Sequence, residues 1–193
     1  MNDITALYDD PFYSTRERYR AVYDHFAAWL FERYAPSRVV DIGSGAGYLL
    51  SGFATRGCTV LGVEGSGSAF QNIPGNIPTL YFDLRNADRL AVMIQPYWDL
   101  AASVEVVEHL DEACEDAFCR LLASLTSKTL FFTAAPAGKP PLHVNCKPKE
   151  YWVAKMEGLG LRYQREAVDQ FTADCSAHGC IWVVQNAMIF TRY

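Results

Sequence analysis

The sequence predicts an α/β fold, a doubly wound and mostly parallel seven-stranded sheet that closes in a C-terminal antiparallel hairpin. Three observations predict it. Apolar runs of strand length alternate with runs of helical period, and that alternation builds a parallel sheet covered on both faces. The first such run, 38–42, breaks into a glycine turn and then opens a helix. Asp41, Glu64, Asp83 and Ser103 each fall at or just past the C-terminal end of a strand, where open α/β sheets take their ligands.

Residues 1–14 read as an arm, with Asp9-Asp10-Pro11 as a turn signal. A helix over 15–35 follows, since Tyr19, Val22, Tyr23, Phe26, Leu30 and Tyr34 recur at three- and four-residue steps and share one face. Ser14 with Glu17 has capping-box spacing, and Pro36 marks the end. Arg16, Arg18 and Arg20 cluster at its start. They form either a solvated face or, through Arg16 or a nearby Tyr, a contact with a carboxylate across the glycine loop. From 36 to 193 the chain reads as one core. A helix from Ala46 to about Arg56 ends at Gly57, and Cys58–Glu64 is a second buried strand. The stretch 65–76 is rich in glycine and proline, so any helix there is short. Ile77–Asp83 is a third strand, Asn86–Gln95 a helix and Trp98–Val104 a fourth strand. The next helix turns Leu110, Cys114, Phe118, Leu121, Leu122 and Leu125 inward. Lys128–Ala135 makes strand five, stopped by Pro136. The loop 136–148 shows no periodicity, and a loop that long inside a compact domain is often a binding loop. Pro148–Leu159 is helical. Leu161–Val168 and Cys180–Thr191 read as the closing hairpin, with 169–179 as its connection.

A chain of 193 residues, 50% of them hydrophobic, suits one domain, 1–193, with a full core. Its formal charge of −5 argues against a nucleic-acid partner, because phosphate neutralisation needs a clustered basic surface. The six cysteines form no CxxC pair and several stand in apolar runs, so buried free thiols are expected, with Cys175 and Cys180 the one spacing that suits zinc. The acidic N-terminus lacks the pattern of a signal peptide, and no apolar run reaches the length of a membrane span. A cytoplasmic protein of open oligomeric state is the expectation.

The glycine turn reads Asp41-x-Gly43-x-Gly45-x-Gly47 rather than the dinucleotide pattern GxGxxG. Glycine lets the backbone approach a ligand and adopt positive φ. A carboxylate just before it repels a pyrophosphate but suits a ligand with positive charge, which opposes a nicotinamide-dependent oxidoreductase. A tight turn with no ligand is the alternative. This stretch resembles motif I of the class I S-adenosylmethionine-dependent methyltransferases, whose cofactor carries an ammonium and a sulfonium. The resemblance implies a Rossmann-like methyltransferase fold over 15–193 and S-adenosylmethionine as cofactor. It assigns cofactor contacts to Asp41, Gly43, Ser44, Gly45, Gly47 and Tyr48 around the turn. Glu64, with Gly65 and Ser66, takes the ribose, and Asp83 and Leu84 take the adenine. Ser103, Val104 and Arg16 complete the set.

A second constellation, Glu105-x-x-Glu108-His109, follows strand four, and its spacing puts all three on one side of a helical turn. Three readings stand. The acids favour a helix N-terminus and His109 is a structural hydrogen-bonder. Alternatively His109 is a general base for an attacking hydroxyl. Or the carboxylates and imidazole hold a divalent metal, magnesium or similar, that acidifies the hydroxyl. ExxEH resembles the metal site of ubiquinone-pathway O-methyltransferases and of small-RNA 3′-end ribose methyltransferases. The latter add a histidine from the loop after strand five, and His143 lies in that loop, which gives Glu105, Glu108, His109 and His143 as the metal set and His109, Glu105 and His143 as the catalytic one. The segment 143–152 resembles one in sugar, glycan and natural-product methyltransferases. Lys139, Lys147 and Lys149 make that loop basic, which suits an acceptor with a carboxylate or phosphate, unless the loop is simply solvated and anchored by Tyr151 and Trp152. The expected function is O-methylation of a small-molecule hydroxyl. The alternatives are a metal-dependent ribose or catechol-type O-methyltransferase and a cofactor-binding module without catalysis.

Overall fold

In the computed structural model, which describes residues 15–94, 97–136 and 143–192, strand β1 (Arg38–Ile42) lies inside the sheet and pairs in parallel with β2 (Thr59–Glu64) and β4 (Trp98–Val104). Strand β3 (Thr79–Tyr81) edges β2, and β5 (Thr126–Thr133) pairs in parallel with β4. Strand β7 (Ala187–Arg192) then enters antiparallel between β5 and β6 (Leu161–Tyr163), so the order is β3-β2-β1-β4-β5-β7-β6. The expected fold class is what forms. The strand order reverses between β1 and β4, which opens a crevice at their C-terminal ends.

Inner strands are buried on both faces, so they read as continuous apolar runs. Alternate residues feed two cores. Val40, Ile42, Leu130, Phe132, Met188 and Phe190 face one. There the helices α4 (Ala87–Met93), α5 (Glu112–Leu125) and α6 (Lys149–Gly158) contribute Leu90, Phe118, Leu122, Trp152 and Met156. On the opposite face Val39, Leu100, Phe131 and Ile189 meet α1 (Arg20–Tyr34), α2 (Tyr48–Thr55), α7 (Arg165–Cys175) and α8 (Ile181–Asn186). The predicted stripe on α1 lies in this second core, with Phe26 and Leu30 fully buried.

Several boundaries differ from expectation for physical reasons. Helix α2 starts at Tyr48, not Ala46, because Gly47 caps it in a left-handed conformation. The 65–76 stretch holds only the short α3 (Gly67–Gln71), capped by Ser66. The closing hairpin is shorter than predicted, and α7 fills much of what was assigned to its first strand and its connection. Ala167, Val168, Phe171 and Cys175 are buried at helical spacing, a period masked in sequence by its short length. The six cysteines are free thiols, and Cys175 and Cys180 are buried in the second core rather than grouped with metal-binding partners among the described residues. No helix among the described residues is long and apolar enough to cross a membrane. The arm 1–14, its Ser14 cap and Lys139 lie outside the described residues.

Candidate active site at the carboxyl ends of the strands

Gly43, Gly45 and Gly47 adopt φ of 82°, 54° and 71°. A Cβ on Gly43 would stand 2.4 Å from Val106 Cγ2, so neither strain nor space admits a side chain there. The N–H groups of Gly43 and Ser44 donate to the Val63 carbonyl at 2.8 and 3.0 Å, which folds the turn back over β2. Gly45 donates to Glu64 Oε2 and Ser66 to Glu64 Oε1, both at 2.7 Å. Glu64 thus clamps the turn while keeping lone pairs for a hydroxyl-bearing ligand. Burial pushes its carboxyl up, against the bonds from Ser66, Gly45 and Gly65.

Asp41 is the least satisfied member. It is 3% exposed, and its Oδ1, like Ser44 Oγ, has no hydrogen-bond partner among the described residues. Burial, then the charge of Glu64, pushes its carboxyl up to about 7. A buried anion with an orphaned oxygen suits a cationic group, because such a group supplies both charge and donors. Tyr48 Oη donates to Glu17 Oε2 at 3.0 Å, and the guanidinium of Arg20, paired with Glu17 at 2.5 Å, lies 4.7 Å from the Tyr48 ring centre. The N-terminal turn is therefore latched beside the glycine loop, with the charge of Arg16 felt at Glu105.

The remaining cofactor candidates are less open. Asp83 takes a multidentate ion pair from Arg85, with contacts of 2.6–3.0 Å. Leu84 packs in the first core. Ser103 is fully buried and donates to the Ile42 carbonyl at 2.9 Å, fastening β4 to β1. Val104 is half-buried against the second core.

The ExxEH residues do not share one helical turn. Only Glu108 and His109 lie in the 3-10 turn Val107–His109, whereas Glu105 is left-handed, with φ of 55°. Its carboxylate turns toward β5 and the end of α8: Thr133 Oγ1 donates to Oε1 at 2.7 Å, and Asn186 Nδ2 reaches both oxygens at 3.0 and 3.1 Å. Register explains the meeting, because Thr133 stands opposite both Val104 and Ala187. Glu108 is fully buried; its Oε1 accepts the Ala135 N–H at 3.2 Å and its Oε2 has no partner among the described residues. Burial, then Glu105, pushes its carboxyl up to about 8.

The Glu108 carbonyl accepts the N–H groups of Val144 and Asn145, which brings the loop after β5 over the turn. His143 and His109 meet edge to face with ring centres 4.7 Å apart. Glu108, His109 and His143 offer ligand atoms that all lie within 4.8 Å of one another, and Glu105 stands outside that group. Neither described lysine of the loop is free. Lys147 pairs with Glu112 at 2.7 Å, and Lys149 donates to the carbonyls of Gln185 and Ala187 at 2.9 and 3.0 Å. Asn145, Tyr151 and Lys155 converge on Glu115, which is 2% exposed, so the segment is anchored by a buried acid as well as by Trp152. Thr133, Asn186 and Tyr23 escaped the sequence reading. Tyr23 packs with Ala46 and Tyr48, and its hydroxyl senses both Asp41 and Glu105. Its helical spacing showed only that it faces inward.

Residues 14–186 match the profile of a family described as a methyltransferase domain. No curated protein matches the chain. Solved structures share the fold at low identity. A magnesium protoporphyrin IX methyltransferase from Synechocystis, with bound SAH, is 20% identical, with a TM-score of 0.63 over 92% of this chain and 85% of that one. An amino pentose methyltransferase of calicheamicin biosynthesis from Micromonospora echinaspora is 14% identical, with a TM-score of 0.69 over 94% and 97%. A sugar N-methyltransferase from Streptoalloteichus is 14% identical, with a TM-score of 0.68 over 95% and 92%.

Proposed function

The chain belongs to the methyltransferase domain family, and from that premise we propose that it methylates a hydroxyl of a small molecule, a sugar or secondary metabolite, with S-adenosylmethionine as cofactor. One observation carries the reading. The end of β1 presents a buried carboxylate with an orphaned oxygen, suited to a cationic cofactor, while the segment past β4 and the loop after β5 together present a histidine pair suited to a hydroxyl. S-adenosylmethionine supplies a methyl already activated on a sulfonium, so the protein's task is chiefly alignment. Asp41 and Glu64 would hold its charged and hydroxylated parts, and the left-handed glycines bring the backbone close. His109 would take a proton from the acceptor hydroxyl, with His143 against its ring and Glu108 close to both. Glu105, held by Thr133 and Asn186, orients the acceptor.

Calorimetry with S-adenosylmethionine and its demethylated product tests the cofactor, and no binding at millimolar concentration ends the reading. His109→Ala should then lower turnover about 10²–10⁴-fold with cofactor affinity nearly unchanged. The close grouping of Glu108, His109 and His143 favours a second reading, in which they hold a divalent ion; two imidazoles and one carboxylate suit a zinc- or manganese-like ion better than magnesium. In that case chelation abolishes turnover, added metal restores it, and Glu108→Ala and His143→Ala are as damaging as His109→Ala. Turnover that resists chelators leaves the general base.

A further inference from the structure

Of the lysines that the sequence offered to an anionic acceptor, Lys147 and Lys149 are engaged by Glu112 and by main-chain carbonyls, and the Glu105 carboxylate past the end of β4 carries the opposite charge. Resting on the methyltransferase reading, we propose that the acceptor bears a protonated amino group beside its reacting hydroxyl, and that the Glu105 carboxylate receives it.

The geometry favours this in three ways. Glu105 is half-buried rather than enclosed, and its carboxylate is fixed before any ligand arrives. Thr133, itself fully buried, and Asn186 hold it from β5 and from the end of α8. A carboxylate has about four acceptor positions, and these neutral donors cancel none of its charge. The Glu108 carboxyl lies against it, fully buried, and its Oε2 receives no donor among the described residues. Two carboxyls thus share a site in which, among the described residues, the donors at bonding distance are neutral, while Arg16 contributes through its field. A carboxylate or phosphate on the acceptor would meet like charge at short range. A plain hydroxyl would leave most of the charge uncompensated. An ammonium brings three donors and a full positive charge, and its bonds to a carboxylate are of the stronger, charge-assisted kind. The amino group acts here in recognition; the methyl goes to the neighbouring oxygen.

Glucosamine, glucose and glucuronate are a matched set of probes, titrated into the full chain saturated with S-adenosylhomocysteine and followed by ligand-observed NMR at pH 7. Glucosamine should bind at least tenfold more tightly than either of the others. Glu105→Gln, which keeps the shape and the hydrogen bonds to Thr133, should level the three probes while leaving S-adenosylhomocysteine affinity unchanged. Asn186→Ala should narrow the preference by releasing the carboxylate. Equal binding of the three, a preference for glucuronate, a glucosamine preference that survives Glu105→Gln, or no binding by any of them overturns the proposal. A protein that fails to bind S-adenosylhomocysteine at all sinks the cofactor reading instead, so the two failures are distinct.

Discussion

Asp41 shows how a site can oppose the stability of its own domain. Its carboxyl titrates near 7 in the folded chain but near 4 when unfolded. Between those values the native state binds more protons than the unfolded one, so stability falls as pH rises from about 4 to 7. Below that window the group contributes nothing, and above it the full cost stands, at most about 4 kcal/mol. Glu108, pushed up to about 8, adds a cost of the same sign. Asp41→Asn should therefore raise the melting temperature of the cofactor-free protein at pH 8 and change it little at pH 4. The same substitution should weaken cofactor binding at least tenfold at pH 8. In the natural protein, affinity for a cationic cofactor should drop as pH falls below about 7, because the protonated acid no longer offers a charge. Calorimetry across pH 6–8 reads both effects, and a flat affinity profile would show that Asp41 does not face the cofactor's charge.

At the scale of elements, a buried acid, Glu115, helps to hold the loop after β5. Burial alone would raise the Glu115 carboxyl, but Lys155, Tyr151 and Asn145 hold it below the usual carboxylate range. The stability this contributes is present above the unfolded carboxylate value and lost as pH falls through the lower, folded one. Glu115→Ala leaves Asn145 without its acceptor in the interior and should cost about 3 kcal/mol in denaturant unfolding. Because Asn145 sits two residues after His143, the freed segment should also lower turnover while cofactor affinity stays as it was. An equal loss of cofactor affinity would mean that the loop supports the glycine turn as well. The loop's chemistry was only half legible in sequence. Trp152 reads as an anchor from its bulk, yet Lys147 and Lys149 look available for a ligand until their partners, more than thirty residues away, are known.

At the scale of the molecule, the proposed cofactor crevice is bordered by β1, β2 and the N-terminal turn, so binding should stabilise the whole cooperative unit. At about a hundredfold excess over its dissociation constant, S-adenosylhomocysteine should add about 2.7 kcal/mol. For a domain of this length that is a rise of about 5–10 °C in a thermal scan, and no rise would contradict a cofactor site in the native state. What the sequence determined by itself is what local chemistry encodes. The alternation of apolar runs set the layered sheet, the glycines set a turn that no side chain can occupy, and Asp41 and Glu64 mark the ends of their own strands. Only the tertiary structure decided the surroundings of Glu105. Glu105 meets Thr133 28 residues away and Asn186 81 residues away. That meeting depends on β7 inserting antiparallel beside β5 with Thr133 opposite Ala187, and a single strand carries no record of its partner's register.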